Sequence, residues 1–247
     1  MGIHLVGGGN DPRYDIDVYT GFVIEAAQRA ARREPDATAR IAVITVREGG
    51  EADHAARLAE ALTTAAASEA AGGVSIEPVI AAFAEGQLVD RSALEDIDAL
   101  VVGGGLTPAY LDALLPSAET IQAAVVDGMP YLGFSAGAMI APDRALIGGW
   151  RIGGVEVSPE DGSEELDEVT VVPGLGLVDV TVDVHAVQWG NLSRLIAAVD
   201  AQLVDGGVAI DEHTVLSVGS GPLRAAGAGT VWAVTRGTPH VQVQSIQ

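Results

Sequence analysis

Three short runs in this chain are apolar at nearly every position, and each stops at a cluster of small residues. Residues 3–6 run into Gly7-Gly8-Gly9, residues 99–102 into Gly103-Gly104-Gly105, and residues 131–134 into Gly133-Phe134-Ser135-Ala136-Gly137. A strand without a polar face has no side to show to water, so such runs belong in a parallel sheet covered on both faces. Helix-like segments lie between them. Residues 18–33 carry Val18, Phe22, Ile24, Ala27 and Ala31 at helical spacing, and residues 52–71, 108–115 and 118–127 also read as helix. Residues 40–46 are rich in β-branched side chains and residues 74–83 look extended, giving further strands. The expected fold class is α/β with a mostly parallel central sheet. Ligand sites in such sheets lie beyond the carboxyl ends of the strands. All three turns follow strands and are therefore expected along one edge.

The second half reads as strand-rich, with candidates at 150–157, 168–172, 178–184, 208–210, 215–218 and 230–235 and one helix near 191–200. The acidic stretch 159–168 reads as a surface loop. No repeat or linker interrupts the chain, so residues 1–247 are expected to form a single domain.

Composition removes several chemistries. The chain has no cysteine, which excludes disulfides, thiolate catalysis and cysteine-based zinc sites. Every one of its 13 basic residues is arginine, so a lysine Schiff base, a Ser-Lys dyad and a Walker A lysine are excluded too. A net charge of −21 repels phosphate backbones and anionic headgroups, so neither nucleic acid nor a membrane surface is expected as a partner. The N-terminal apolar run is too short for a signal peptide, and a cytoplasmic location is expected.

The Gly-x-Ser-x-Gly pattern places a serine on a sharp strand-to-helix turn with its hydroxyl exposed. The amide of Ala136 then points where an oxyanion would form. Small residues at Ala136, Gly137 and Ala138 let the following helix pack close beneath. Serine needs a base, and the chain offers five histidines. His4 falls in the first strand and His54 in a helix, so both read as structural. His240 lies near the C-terminal end, and His213 follows Asp211-Glu212 in a turn. His185 follows an apolar run, and at period two Asp183 shares its face. Strand pattern alone allows a satisfied core pair as readily as a catalytic one, and the serine turn favours catalysis.

Taken together, Gly103-Gly104-Gly105, Gly133-Phe134-Ser135-Ala136-Gly137-Ala138, Gly174-Leu175-Gly176-Leu177 and Asp183-Val184-His185 follow the order found in the S51 serine peptidases. The segment from Val208 to Thr214 also resembles a Gly-x-x-Ile-Asp-Glu-x-Thr stretch of that family, which includes aspartyl dipeptidase (peptidase E) and cyanophycinase. The resemblance implies a three-layer sandwich similar to class I glutamine amidotransferases. It also implies Ser135 as nucleophile, His185 as base, and an oxyanion hole from Ala136 with Gly104 or Gly105. Glu156 is the expected triad acid, with Glu160 and Asp161 behind it. Asp183, Gln188 and Arg194 are expected to bind substrate. Arg151 and Arg144 join Arg194 as candidates for holding the aspartyl carboxylate that the resemblance implies. The implied function is hydrolysis of aspartyl-type peptide bonds through an acyl-enzyme. The alternative is a catalytically degenerate binding protein of the same fold, for which Leu106 in place of the family's polar residue and the lack of an obvious acid both speak. A small peptide is the expected partner; a homo-oligomer is compatible with the sequence. No metal or other cofactor is expected.

Overall fold

The computed structural model describes residues 2–219 and 221–246. In chain order the first half comprises β1 (Ile3–Val6), α1 (Asp15–Arg33), β2 (Ala39–Arg47), α2 (Glu51–Ala67), β3 (Ile76–Ala84), β4 (Ala99–Val102), α3 (Thr107–Leu114), α4 (Ala118–Val126) and β5 (Tyr131–Phe134). The second half begins with α5 (Ala136–Met139), β6 (Arg144–Gly148), β7 (Arg151–Ile152), β8 (Val155–Glu156), β9 (Thr170–Pro173) and β10 (Thr181–Val184). It ends with α6 (Leu192–Asp200), β11 (Gly206–Ile210), β12 (Thr214–Val218), β13 (Arg224–Gly227), β14 (Val231–Thr235) and β15 (Gln242–Ile246).

The central sheet runs β13-β12-β1-β5-β4-β2-β3. Its five strands from β1 to β3 are mutually parallel, and β12 and β13 each join antiparallel to their neighbour. Alternation along the strands builds two cores. On β2, Ile41 and Val43 face one side, where they meet Val18, Phe22 and Ala26 of α1 and Leu58 and Leu62 of α2. Ala42, Ile44 and Val46 face the other, with Tyr110 and Leu114 of α3 and Ile121 of α4. Both faces are therefore dry, which is why the strands need no polar alternation. Helix α1 is held by its buried stripe and by its ends: Asp15 and Asp17 lie in its first turn, Arg32 and Arg33 in its last. Both placements suit the helix dipole.

A second sheet, β10-β11-β14-β15, packs on the α3–α4 side. Here β10 and β11 are parallel, with Val184 opposite Ile210, so their carboxyl ends finish side by side. The first turn after β1 ties the two sheets together. His185 N–H donates to Gly7 O at 3.1 Å, and His213 N–H donates to Gly8 O at 2.8 Å.

The α/β architecture with a mostly parallel sheet is the one expected. The second half differs in detail. The run 150–157 is a hairpin of two-residue strands, β7 and β8, turned at Gly153 and Gly154 in the left-handed region (φ 59° and 79°). Strands β6, β13 and β15 were not expected; β6 is a short apolar run, Ala145-Leu146-Ile147, whereas β15 reads Gln-Val-Gln-Ser-Ile and is largely exposed. Among the described residues no helix is long and apolar enough to cross a membrane.

Candidate active site

Ser135 stands at the joint between β5 and α5 with φ 51° and ψ −109°, a backbone state that costs energy for any residue with a side chain. The flanking residues make the bend feasible. A Cβ on Gly137 would lie 2.2 Å from Val102 O, so only glycine lets α5 come this close under the sheet. Ser135 N–H donates to Val6 O at 2.9 Å, which fixes the turn to the end of β1. The result is a serine 9% exposed, at the floor of a cleft of about 560 Å³.

His185 reaches the same point from the second sheet. Its Nε2 lies 2.8 Å from Ser135 Oγ. Gly8, at φ 100°, makes room for it: a Cβ there would sit 2.1 Å from His185 Cε1. The imidazole Nδ1 is 2.8 Å from Glu212 Oε1. An ionised carboxylate can only accept, so the proton of the neutral ring belongs on Nδ1 and Nε2 faces the serine hydroxyl as acceptor. That hydrogen bond, ahead of all other influences, holds the Glu212 carboxyl below the ordinary carboxylate range. Parallel pairing of β10 and β11 explains the meeting, because both residues follow the adjacent carboxyl ends of those strands. Asp211 secures the loop by accepting from Val187 N–H, Thr230 N–H and Trp232 Nε1. The indole of Trp189 stacks on the imidazole at 3.8 Å between centroids and 7° between planes.

Glu156, expected as the triad acid, is elsewhere. It sits on β8, exposed, with its carboxylate 3.7 Å from Arg151. Two-residue strands turned at glycines swing it away from the cleft, and Glu212 takes the place beside His185. Glu160 lies in an exposed turn, whereas Asp161 lines the cleft without a hydrogen bond to the imidazole among the described residues.

The expected substrate-binding residues also differ. Asp183 and Arg194 are fully buried and paired with each other, Arg194 Nε to Asp183 Oδ2 at 2.9 Å and Nη2 to Oδ1 at 2.6 Å. Arg194 further donates to the carbonyls of Gly149 and Gly162, so it anchors the segment roofing the cleft rather than facing it. Period two fails at this point because His185 has already left the strand, at φ 51°. Gln188 is spent on the main chain, its Oε1 accepting from Glu212 N–H at 3.0 Å. Arg144 donates to Leu203 O, and Arg151 lies over the Trp150 ring; neither lines the cleft.

Of the proposed oxyanion donors, the Gly104 amide is engaged: it donates to His54 Nε2 at 3.0 Å. Burial, followed by the charges of Arg47 and Arg57, pushes His54 down to about 4, which keeps it neutral and able to accept. His54 thus lies on the cleft wall rather than in a plain structural position. The amides of Gly105 and Ala136 meet no acceptor among the described residues. The acidic stretch, expected as a surface loop, lines the cleft with Asp161, Ser163, Glu164 and Glu165. Glu164 is largely buried, its carboxyl raised by burial, and its Oε2 accepts from Thr107 N–H to cap α3.

Fold and site together define an α/β protein of glutamine amidotransferase-like architecture with a serine at its strand-to-helix turn. The model of peptidase family S51 matches residues 66–225, and the chain belongs to that family. Among solved structures it is similar to a peptidase from an acI-B1 Actinobacterium, at 18% identity and a TM-score of 0.58, over 99% of this chain and 96% of the other. It is also similar to a putative peptidase E protein from Listeria monocytogenes EGD-e, at 15% identity and a TM-score of 0.55, over 92% of this chain and 98% of the other. No curated protein sequence matches the chain.

Proposed function

We propose that the protein is a serine peptidase that cleaves short peptides through an acyl-enzyme. The observation that carries this reading is the unbroken chain Ser135 Oγ, His185 Nε2, His185 Nδ1 and Glu212 Oε1, with 2.8 Å at each of its two contacts. Nε2 takes the hydroxyl proton as Oγ attacks the peptide carbonyl. The resulting oxyanion is met by the amides of Ala136 and Gly105, and Glu212 steadies the imidazolium. The imidazolium then gives its proton to the leaving amine, and water repeats the sequence on the ester.

The finer reading is an aspartyl-type substrate, in line with peptidase E as a structural neighbour. Arg47 is the one arginine among the residues lining the cleft and offers a partner for an acidic side chain. Glu164 and Glu165, which also line the cleft, suit a free ammonium. The competing reading, a degenerate binding protein, drew on the lack of an obvious acid. Glu212 supplies a carboxylate where one was missing.

An alkyl fluorophosphonate separates the two. The peptidase reading expects an adduct on Ser135 that disappears in Ser135→Ala and is much reduced in His185→Ala, with turnover in a panel of Asp-Xaa and isoaspartyl dipeptides. No adduct with probes of several sizes, and no turnover, would leave only the binding protein.

A further inference from the structure

The glycine turn after β4 is held at every polar group up to its second glycine. Gly103 N–H donates to Ile44 O at 2.9 Å, and Gly103 O accepts from Gly137 N–H at 3.0 Å. Gly104 N–H goes to His54 Nε2, as above. Gly104 O accepts from two side chains, Arg47 Nη1 at 2.9 Å and Tyr110 OH at 3.1 Å. The first free donor is therefore Gly105 N–H, which belongs to the same peptide unit as the doubly held oxygen.

A trans peptide points its C=O and N–H in opposite directions. Drawing the oxygen towards Arg47 at the end of β2 and Tyr110 on α3 sends the Gly105 N–H the other way. The opposite side is occupied by the serine: a Cβ on Gly104 would lie 2.9 Å from Ser135 Cβ, whereas one on Gly105 would meet Tyr110 Cε2 at 3.0 Å. Tyr110 is fully buried, which pushes its phenol up and keeps it a donor. A cationic donor on a peptide oxygen also polarises the unit and strengthens the N–H at its far end.

We propose that Arg47, with Tyr110, is a positioning residue of the oxyanion hole, clamping the Gly104 carbonyl so that the Gly105 amide faces the reacting carbonyl alongside Ala136. The inference rests on the serine-peptidase reading above. Arg47 needs no contact with substrate to act in this way, which sets the role apart from carboxylate binding.

A neutral alkyl fluorophosphonate tests it, because that probe has no carboxylate for Arg47 to bind. The Ser135 Oγ–P bond forms as P–F breaks, fluoride departs, the hydroxyl proton passes to His185, and the phosphoryl oxygen occupies the oxyanion position. Maximal inactivation rate (kinact) and half-saturation (KI) are measured for the wild type, Arg47→Met, Arg47→Lys and Tyr110→Phe. Arg47→Met is expected to lower kinact about 10- to 100-fold, with KI unchanged. Arg47→Lys should recover part of that loss, and Tyr110→Phe should lower kinact by about 3- to 10-fold. Wild-type kinact in Arg47→Met and Tyr110→Phe, or a change confined to KI, overturns the inference while leaving the peptidase reading intact. Should Arg47→Met fail to fold, Tyr110→Phe alone decides. A wild-type protein that takes no label overturns both.

Discussion

Among the described residues two Ser-His-Glu sets place an imidazole between a hydroxyl and a carboxylate, and their surroundings differ. At the carboxyl edge, Ser135, His185 and Glu212 meet at 2.8 Å per contact. At the other end of β1, His4 Nδ1 lies 3.0 Å from Ser217 Oγ, and His4 Nε2 lies 3.7 Å from Glu25 Oε1. The same three residue types, with the imidazole between the other two, recur near the two ends of β1. The difference lies in the backbone around each serine. Ser135 occupies a strained turn beside two amides without acceptors among the described residues, at the floor of the cleft. Ser217 sits within β12, between β1 and β13, opposite His4 on one side and Arg224 on the other. Main-chain donors there serve the ladder, so no oxyanion would find one. A hydrogen-bonded serine and histidine are common; a nucleophile also needs free donors aimed at the charge it creates.

The strongest way to break this contrast is to remove each hydroxyl in turn. Ser135→Ala should lower peptide turnover by about 10⁴- to 10⁶-fold, as loss of a nucleophile or its base does elsewhere. Ser217→Ala should leave kcat within about twofold, since it touches neither cleft nor chain of proton transfer. Steady-state rates on whichever dipeptide the panel identifies provide the check. Comparable losses from both would mean that the second set takes part.

The two acids sharpen the contrast. Glu212→Gln is expected to cost about 10³- to 10⁴-fold in kcat, by leaving the imidazole without its charge partner, whereas Glu25→Gln should cost nothing measurable. Stability against pH should not separate them. Both carboxyls are held low, first by their histidine. A carboxyl with a depressed folded pKa contributes stability above its unfolded pKa of about 4.3, and loses it as pH falls through the lower folded value. The stability gap between wild type and either glutamine variant should thus be level near neutral pH and close below about pH 4. A gap that widens in acid would reverse the assigned direction of the shift.

How much of this was legible in the sequence follows from which signals are local. Residues 99–102 and 131–134 are strands with the expected bounds, because full burial on both faces leaves an unbroken apolar run bounded by glycine. Ser135 was visible for the same reason, its motif being contiguous. Glu156 follows the serine turn in the chain, where the resemblance implies the acid, but the carboxylate beside His185 comes from 27 residues beyond the histidine. What brings it there is the parallel pairing of β10 with β11, a long-range fact that periodicity does not carry. The segment around Ile210-Asp211-Glu212 did stand out as family-like, and asking which acid follows the strand next to the histidine's would have pointed to Glu212. Arg194 misled for the opposite reason. A buried arginine clamped by Asp183 and an exposed one waiting for a carboxylate read identically along the chain.

The smallest expected effect on activity concerns the aromatic neighbours of the two histidines. His185 carries Trp189 stacked flat on its face, while His4 meets Phe22 edge-on, at 5.7 Å and 80°. Phe22 is wholly buried in the α1 core, and Trp189 is 41% exposed. A flat indole can oppose rotation of the imidazole between its two hydrogen bonds, and its π face favours the imidazolium that forms in the transition state. Such contacts contribute about 0.5–1.5 kcal/mol, which corresponds to about 2- to 10-fold in rate. Trp189→Ala should therefore lower kcat by that factor and change the melting temperature little, because it empties no core. Trp189→Phe should restore most of the rate. Phe22→Ala should do the reverse, costing about 3–5 kcal/mol of stability while the surviving folded protein turns over normally. If Trp189→Ala instead raised KM at constant kcat, the indole would be holding substrate rather than steadying the imidazole.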